Sequence, residues 1–436
     1  MSEGSNIPGA SFAEMLISAI GEESAVKVLN ALEESPSVSI RLNPLRLKEC
    51  PFPGAGPVPW SPYGYFLPER PIFTLDPLFH AGCYYVQDSS AMFPCHVLRS
   101  ILPGSPDFPG LSAGGPAVLD LCAAPGGKTT DAAASLRERF GDDFLLVANE
   151  VVRKRFDVLR ENVALWGDPR VAVTSLSPAA IGSSGMLFDI ILADVPCSGE
   201  GMFRKEEKAV EDWSEETVAF CAARQRSIIA DVWPALADGG FLIYCTCTFN
   251  SFENDDNVEW ICSALGAEPI ILPDFPPVLR TRFGQALLPG FVRGEGQYVA
   301  LLRKSSPAAG KTPENPSATP FSGFSAGKTP ENPSATPFSG FSAGKTAQNP
   351  SAARPLRLSF PAQDAVPEQG PRIDVDRHTA LHYLHGDAIV VPDAPKGLIT
   401  VCYEGHPLGP AKNIGLRCNN LYPKSRRIRI DIPASL

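Results

Sequence analysis

From Ala117 onward the chain repeats one pattern: a short apolar run, a loop, then a longer stretch with apolar positions at helical spacing. VLDLC precedes a predicted helix around Thr129–Phe140, and FLLVANE precedes one from Lys154 to Trp166. VAVTSL follows, FDIILADVP leads into a long predicted helix around Thr217–Ala237, and FLIYCTC closes the series. Continuous apolar runs separated by such helical segments predict βαβ units and a mostly parallel sheet. The expected core is an α/β, doubly wound domain over residues 113–304.

Residues 11–33 carry helical periodicity, and SVSIRLNPLRL at 37–47 alternates like a half-buried strand, which predicts an N-terminal α+β domain over 1–112. The Pro/Gly-rich stretch 50–71 reads as irregular, and a helix is expected in 78–101 after Asp88 or Ser89 as N-cap. Behind the core, GKTPENPSATPFSGFSA at 310–326 recurs unchanged at 327–343 and begins again at 344. So polar a repeat cannot offset its ordering entropy, so 305–370 is expected to be a flexible linker. Residues 371–436 regain apolar order as a small β-rich module. Six Lys/Arg and no Asp or Glu lie between Lys412 and Arg429, a run suited to phosphates in which Arg426 and Arg427 are the expected contacts.

At 436 residues and 44% hydrophobic, the chain has material for two or three domains. A net charge of −10 argues against coating nucleic acid by bulk electrostatics, though a local basic patch can still grip phosphates. Eleven irregularly spaced cysteines, no secretory leader and no apolar run of about 20 residues predict a cytoplasmic monomer with no membrane partner.

Two of those cysteines carry the candidate chemistry. Cys197 in FDIILADVPCSGEG and Cys247 in FLIYCTCTFN each stand where a buried strand runs into a loop, the side of an open α/β sheet on which ligands bind. GGKTT at 126–130 is not a phosphate-cradling loop, because Cys122 occupies the place of its first glycine. What remains is Asp120 at a strand end, then a Pro125-Gly126-Gly127 turn whose small residues admit a cofactor to the backbone. Glu150, ending the next strand, is placed to meet ribose hydroxyls. A zinc site built on Cys245, Cys247 and Cys197 fails for want of a fourth ligand. For the other cysteines the expected role is that of a small buried hydrophobe.

DLCAAPGGKT, ANE with Lys154-Arg155, ADVPCSGEGMFRK, YCTCTFN and GEGQYVALL together resemble the Nop/Sun family of S-adenosylmethionine-dependent RNA cytosine-C5 methyltransferases. SIRLNP and YYVQDSSAM resemble its N-terminal elements, and ALHYLHGDAI with CYEGHPLG resembles the C-terminal RNA-binding module of members that modify small-subunit ribosomal RNA. The resemblance implies a Rossmann-like methyltransferase fold, S-adenosylmethionine as cofactor and RNA as partner. It makes Cys247 the nucleophile at cytosine C6, gives Cys197 a part in product release, and sets Asp194 against N3. Lys128 would tune the thiol or touch the base. The cofactor would lie on Cys122, Ala123, Ala124, Pro125, Gly126, Gly127, Lys128, Glu150, Arg155 and Asp194. Ser177 stands where the family commonly has an acid for adenine, and Cys245 where it usually has serine. Small-subunit ribosomal RNA is the expected substrate, with transfer RNA or a catalytically silent assembly factor as alternatives. The target cytosine must be extruded from its stack.

Overall fold

The computed structural model describes residues 8–103, 115–305, 358–362 and 370–433. Its largest sheet runs 171–174, 145–149, 117–120, 188–194, 236–246, 297–304, 285–287, 279–280, with 267–270 also on the 297–304 strand. The first five strands are parallel and the sixth is antiparallel. Ala117–Asp120 and Phe188–Asp194 are adjacent although two strands intervene in sequence, so the chain changes direction across the sheet there. Connections diverge at such a point and leave a crevice at the carboxyl ends. Helices Gly127–Phe140, Arg153–Trp166 and Glu215–Val232 cross between strands, each within three residues of its expected start. Val118, Leu146, Ile190, Ile243 and Val299 fill one face and Leu119, Val147, Ile191, Leu242 and Ala300 the other, which is why these strands read as unbroken apolar runs.

The N-terminal region differs from expectation in two ways. Residues 11–33 form two helices, Ala10–Ile20 and Glu22–Leu32, broken at Gly21, whose φ of 79° suits glycine. Their buried faces, including Phe12, Leu16, Val28 and Leu32, share a core with Phe203, Trp213 and Phe249, so they cover the segments that follow Cys197 and Cys247. The stretch read as irregular holds strands Gly56–Pro57 and Gly64–Phe66, which join Ser39–Leu42 and Tyr84–Val86 in an antiparallel sheet. Strands this short leave no periodicity to read. After Ser89 the chain makes a single 3₁₀ turn before the helix Phe93–Ile101, with Asp88 Oδ1 accepting from Ser90 N at 3.0 Å.

The C-terminal residues form a second small sheet, Arg372–Asp374, Gly397–Tyr403, His406–Asn413 and Cys418–Asn420, against the helix Arg377–His385. Ala380, Leu381, Leu384, Val401 and Leu408 share one core with Ile40, Leu42, Leu78 and Tyr84 of the N-terminal sheet. Arg377 Nη2 donates to Leu75 O at 3.1 Å across that contact. The 17-residue repeats lie outside the described residues. Part of the expected linker does not behave as a free tether: Ser359 pairs with Val173 at the sheet edge, with N–O distances of 2.7 and 3.2 Å.

Candidate active site

Four strand ends meet at the crevice. After Asp120 the backbone turns through Ala123 N to Asn149 O, 2.8 Å, and Gly126 N to Ala123 O, 2.8 Å. Gly126 has φ 111°, a conformation that side chains resist, and the helix starts at the next residue. Ala123 and Ala124 are buried, whereas Pro125 is exposed. Cys122, partly buried, packs on the core, and burial pushes its thiol up.

Asp120 is buried and accepts from Thr129 Oγ1 at 2.6 Å, while its other oxygen has no partner. Burial pushes its carboxyl up to about 7, against the pull of the Thr129 hydroxyl. Glu150 is buried too. Its Oε1 accepts from Val152 N at 2.9 Å, and its Oε2 has no hydrogen bond but lies 3.5 Å from Arg155 Nη1. Arg155 is exposed and also donates to Ala124 O at 2.8 Å, so it braces the turn from outside. Two orphaned buried acceptors beside a narrow turn and the first N–H groups of a 14-residue helix fit S-adenosylmethionine. Ser177 accepts from Ala180 N at 3.2 Å as the N-cap of Pro178–Gly182, at the position where an acid was expected.

The Asp120 carboxyl gives a pH expectation. A folded-state pKa raised from 3.8 to about 7 means the folded protein holds a proton that the unfolded chain releases, so this group's contribution to stability declines from about pH 4 to 7 and is flat above. Asp120→Asn should remove that component. Urea melts across pH 5 to 8 should show the wild-type minus variant difference falling as pH rises, and a pH-independent difference would contradict it.

On the far side of the turn, Lys128 Nζ donates to Asp194 Oδ2 at 2.8 Å. Burial opposes the Lys128 charge, but Asp194, with Cys245 and Cys247 nearby, outweighs it and holds the ammonium above the ordinary lysine range. Gln297 Nε2 reaches Asp194 Oδ1 at 3.3 Å and Thr246 O at 2.8 Å, a residue within GEGQ to which the sequence reading gave no role. Cys197 Sγ and Cys247 Sγ lie 3.0 Å apart, both partly exposed, and Cys247 N–H points at Cys197 Sγ at 3.3 Å. Hydrogen bonding to Cys247 and burial hold the Cys197 thiol well above its ordinary range. Cys245 is fully buried in the core, and the sulfur that meets Cys247 is that of Cys197. The crevice thus brings together the predicted turn, Glu150, Lys128, Asp194 and both thiols.

Residues 113–303 match the family described as 16S rRNA methyltransferase RsmB/F, residues 9–89 the N-terminal domain of 16S rRNA methyltransferase RsmF, and residues 371–428 the methyltransferase RsmF PUA domain. The ribosomal RNA small subunit methyltransferase F of Serratia proteamaculans is 30% identical over 414 residues, 84% of each chain. The chain belongs to the RsmB/F family. The namesake in Klebsiella pneumoniae is 34% identical over 62% of this chain, which spans 57% of that relative's length. A methyltransferase homolog protein from Pyrococcus horikoshii, known from its crystal structure, superposes with a TM-score of 0.56 at 26% identity, covering 68% of this chain and 96% of its own. As an RsmB/F protein, this chain is a ribosomal RNA methyltransferase that uses S-adenosylmethionine. Among the described residues no helix is long and apolar enough to cross a membrane.

Proposed function

We propose that the protein methylates C5 of a cytosine in small-subunit ribosomal RNA through a transient bond between Cys247 and C6. The observation that supports this reading is the pair of thiols 3.0 Å apart beside the Lys128–Asp194 pair. Cytosine C5 is a poor nucleophile until a thiolate adds to C6, and covalent catalysis divides that difficulty into two steps. When bound, S-adenosylmethionine supplies the methyl group as an electrophile. Asp120, Glu150 and the 122–127 turn would hold it, and Lys128 and Asp194 border it on the side of the thiols. Asp194, held by Lys128 and Gln297, would face the N3 edge of the base, pass the proton that Cys247 gives up to N3 as the thiolate adds to C6, and take it back as the sulfur leaves. Cys197 keeps its proton and offers a hydrogen bond to the Cys247 sulfur as it leaves C6. The C5 proton passes to water, the electron pair it leaves closes C5=C6, and the C6–S pair returns to Cys247.

Bisulfite sequencing of ribosomal and transfer RNA from cells with and without the gene tests the assignment. One 5-methylcytosine should vanish from small-subunit RNA. A loss confined to transfer RNA would overturn the substrate, and no loss in either would overturn the chemistry.

The C-terminal module supplies a second test. Arg427 packs on Gly386, where an added Cβ would meet its side chain at 2.7 Å, and its Nη2 lies 3.4 Å from Tyr422 O. It is therefore partly structural, a departure from the expected phosphate contact. Within the basic run 412–429 the exposed cations are Lys412, Arg417, Lys424 and Arg429. Charge reversal at Lys424 and Arg429 should weaken RNA binding, and each lost phosphate contact should lower the log–log salt slope by roughly 0.7–0.9. A salt series of binding isotherms checks it, and an unchanged slope would leave these residues as a solvated face.

A further inference from the structure

Beneath the two thiols lies a buried polar network that the reaction above does not use. Glu200, three residues after Cys197, accepts from Phe249 N at 2.5 Å and Asn250 N at 3.1 Å, which are backbone groups of the Cys247 loop. Glu253, six residues after Cys247, accepts from Ser198 N at 3.0 Å, a backbone group of the Cys197 loop. Each cysteine's loop therefore carries a carboxylate that grips the other's main chain. Asn250 Nδ2 lies 2.9 Å from Oε1 of both acids and ties the two grips together. Gln225, on the helix Glu215–Val232, donates to Glu253 Oε2 at 2.7 Å and to Pro196 O at 3.0 Å, which anchors the Cys197 loop to the scaffold. Glu200 and Glu253 are 1% and 0% exposed, so neither reaches solvent or RNA.

Buried carboxylates are costly to keep, and these are satisfied by main-chain N–H groups flanking the reactive cysteines together with the side chains of Asn250, Gln225 and Trp213, whose Nε1 donates to Glu200 Oε1 at 3.1 Å. Fold stability alone does not require the exchange to be reciprocal. The placement of two sulfurs does, because a small displacement of either loop changes their separation directly.

We infer that Glu253 and Glu200 are positioning residues that hold Cys197 and Cys247 in register, Glu253 serving product release by fixing Cys197 and Glu200 serving attack by fixing Cys247. This rests on the cysteine roles proposed above. Burial also pushes Glu253 up to about 7, so its grip is strongest once that acid is ionised.

The test compares Glu253→Gln, Glu200→Gln and Cys197→Ala in the full-length protein, with small-subunit ribosomal RNA and S-adenosylmethionine. The readouts are protein–RNA adduct on denaturing gels, turnover, and cofactor affinity by calorimetry. Glu253→Gln should raise the adduct several-fold while turnover falls roughly 10- to 100-fold, the range of one hydrogen bond to a charged group. Glu200→Gln should lower turnover with less adduct than wild type. A role in folding alone would depress attack and release together and give no such divergence. Gln225→Leu, one step further from the site, should repeat the Glu253→Gln pattern more weakly. If Cys197→Ala traps adduct and Glu253→Gln does not, or if Glu253→Gln turns over normally, the positioning role is wrong. Loss of cofactor binding in both Glu253→Gln and Gln225→Leu would also overturn it. If Cys197→Ala itself traps nothing, the cysteine assignment has failed instead.

Discussion

Replacing Cys247 by alanine should abolish methyl transfer, and replacing Cys197 should instead leave the enzyme covalently bound to its RNA. The asymmetry follows from what each sulfur faces. Cys247 follows the strand Leu236–Thr246 directly and lies near Lys128, and without a nucleophile there C5 is not activated. Cys197 is 3.0 Å away with its thiol held protonated, so its removal leaves attack intact and deprives the departing sulfur of a hydrogen-bond donor. Turnover by Cys247→Ala should be undetectable, a loss larger than the roughly 10⁴-fold expected from losing a general acid or base alone. Labelled methyl incorporation and denaturing gels decide it. Normal turnover by Cys197→Ala, or residual methylation by Cys247→Ala, would overturn the assignment of roles.

Arg41→Leu should be the most destabilising single change away from the thiols. Arg41 is fully buried, and it carries the N-terminal sheet onto the start of the cofactor helix. Its guanidinium reaches Gln87 Oε1 at 2.9 Å, Gly127 O at 3.1 Å and Thr130 Oγ1, lies over the Trp166 ring, and faces Asp131 at 3.8 Å. Breaking a buried ion pair from one side costs about 3–5 kcal/mol. Arg99 stays 3.2 Å from Asp131, so the lower end applies, and a melting temperature lower by roughly 5–10 °C is expected. Cofactor affinity should fall as well, because Gly127 opens the helix behind the turn. Thermal melts and calorimetry with S-adenosylmethionine check both, and an unchanged pair of values would remove Arg41 from this account.

How much of this could be read from the residues varies with the length scale of the signal. Parallel strands buried on both faces leave long apolar runs, so the central sheet was readable from VLDLC to FLIYCTC, and so was the placing of both cysteines at strand ends. Gly56–Pro57 and Gly64–Phe66 are too short to alternate, so their residues read as loop. Gln297, Glu200 and Glu253 were missed for a different reason: their partners are main-chain atoms or a carboxylate far away in sequence. A faint signal existed, a glutamate at a short offset behind each cysteine, but nothing local says that each reaches across to the other loop. The docking of the C-terminal module on the N-terminal sheet was invisible, since both faces are apolar and either could have been an ordinary core.

That shared core joins the two ends of the chain in space while the repeats connect them in sequence. After a cut between residues 305 and 358 that core would be a contact left to hold the two fragments, and co-purification of the fragments would read it out. The unchanged second copy is the mark of a tandem duplication that lengthened the chain by 17 residues. In evolutionary terms the repeats are where this gene has changed in length, while the core between its two ends is built from residues outside them.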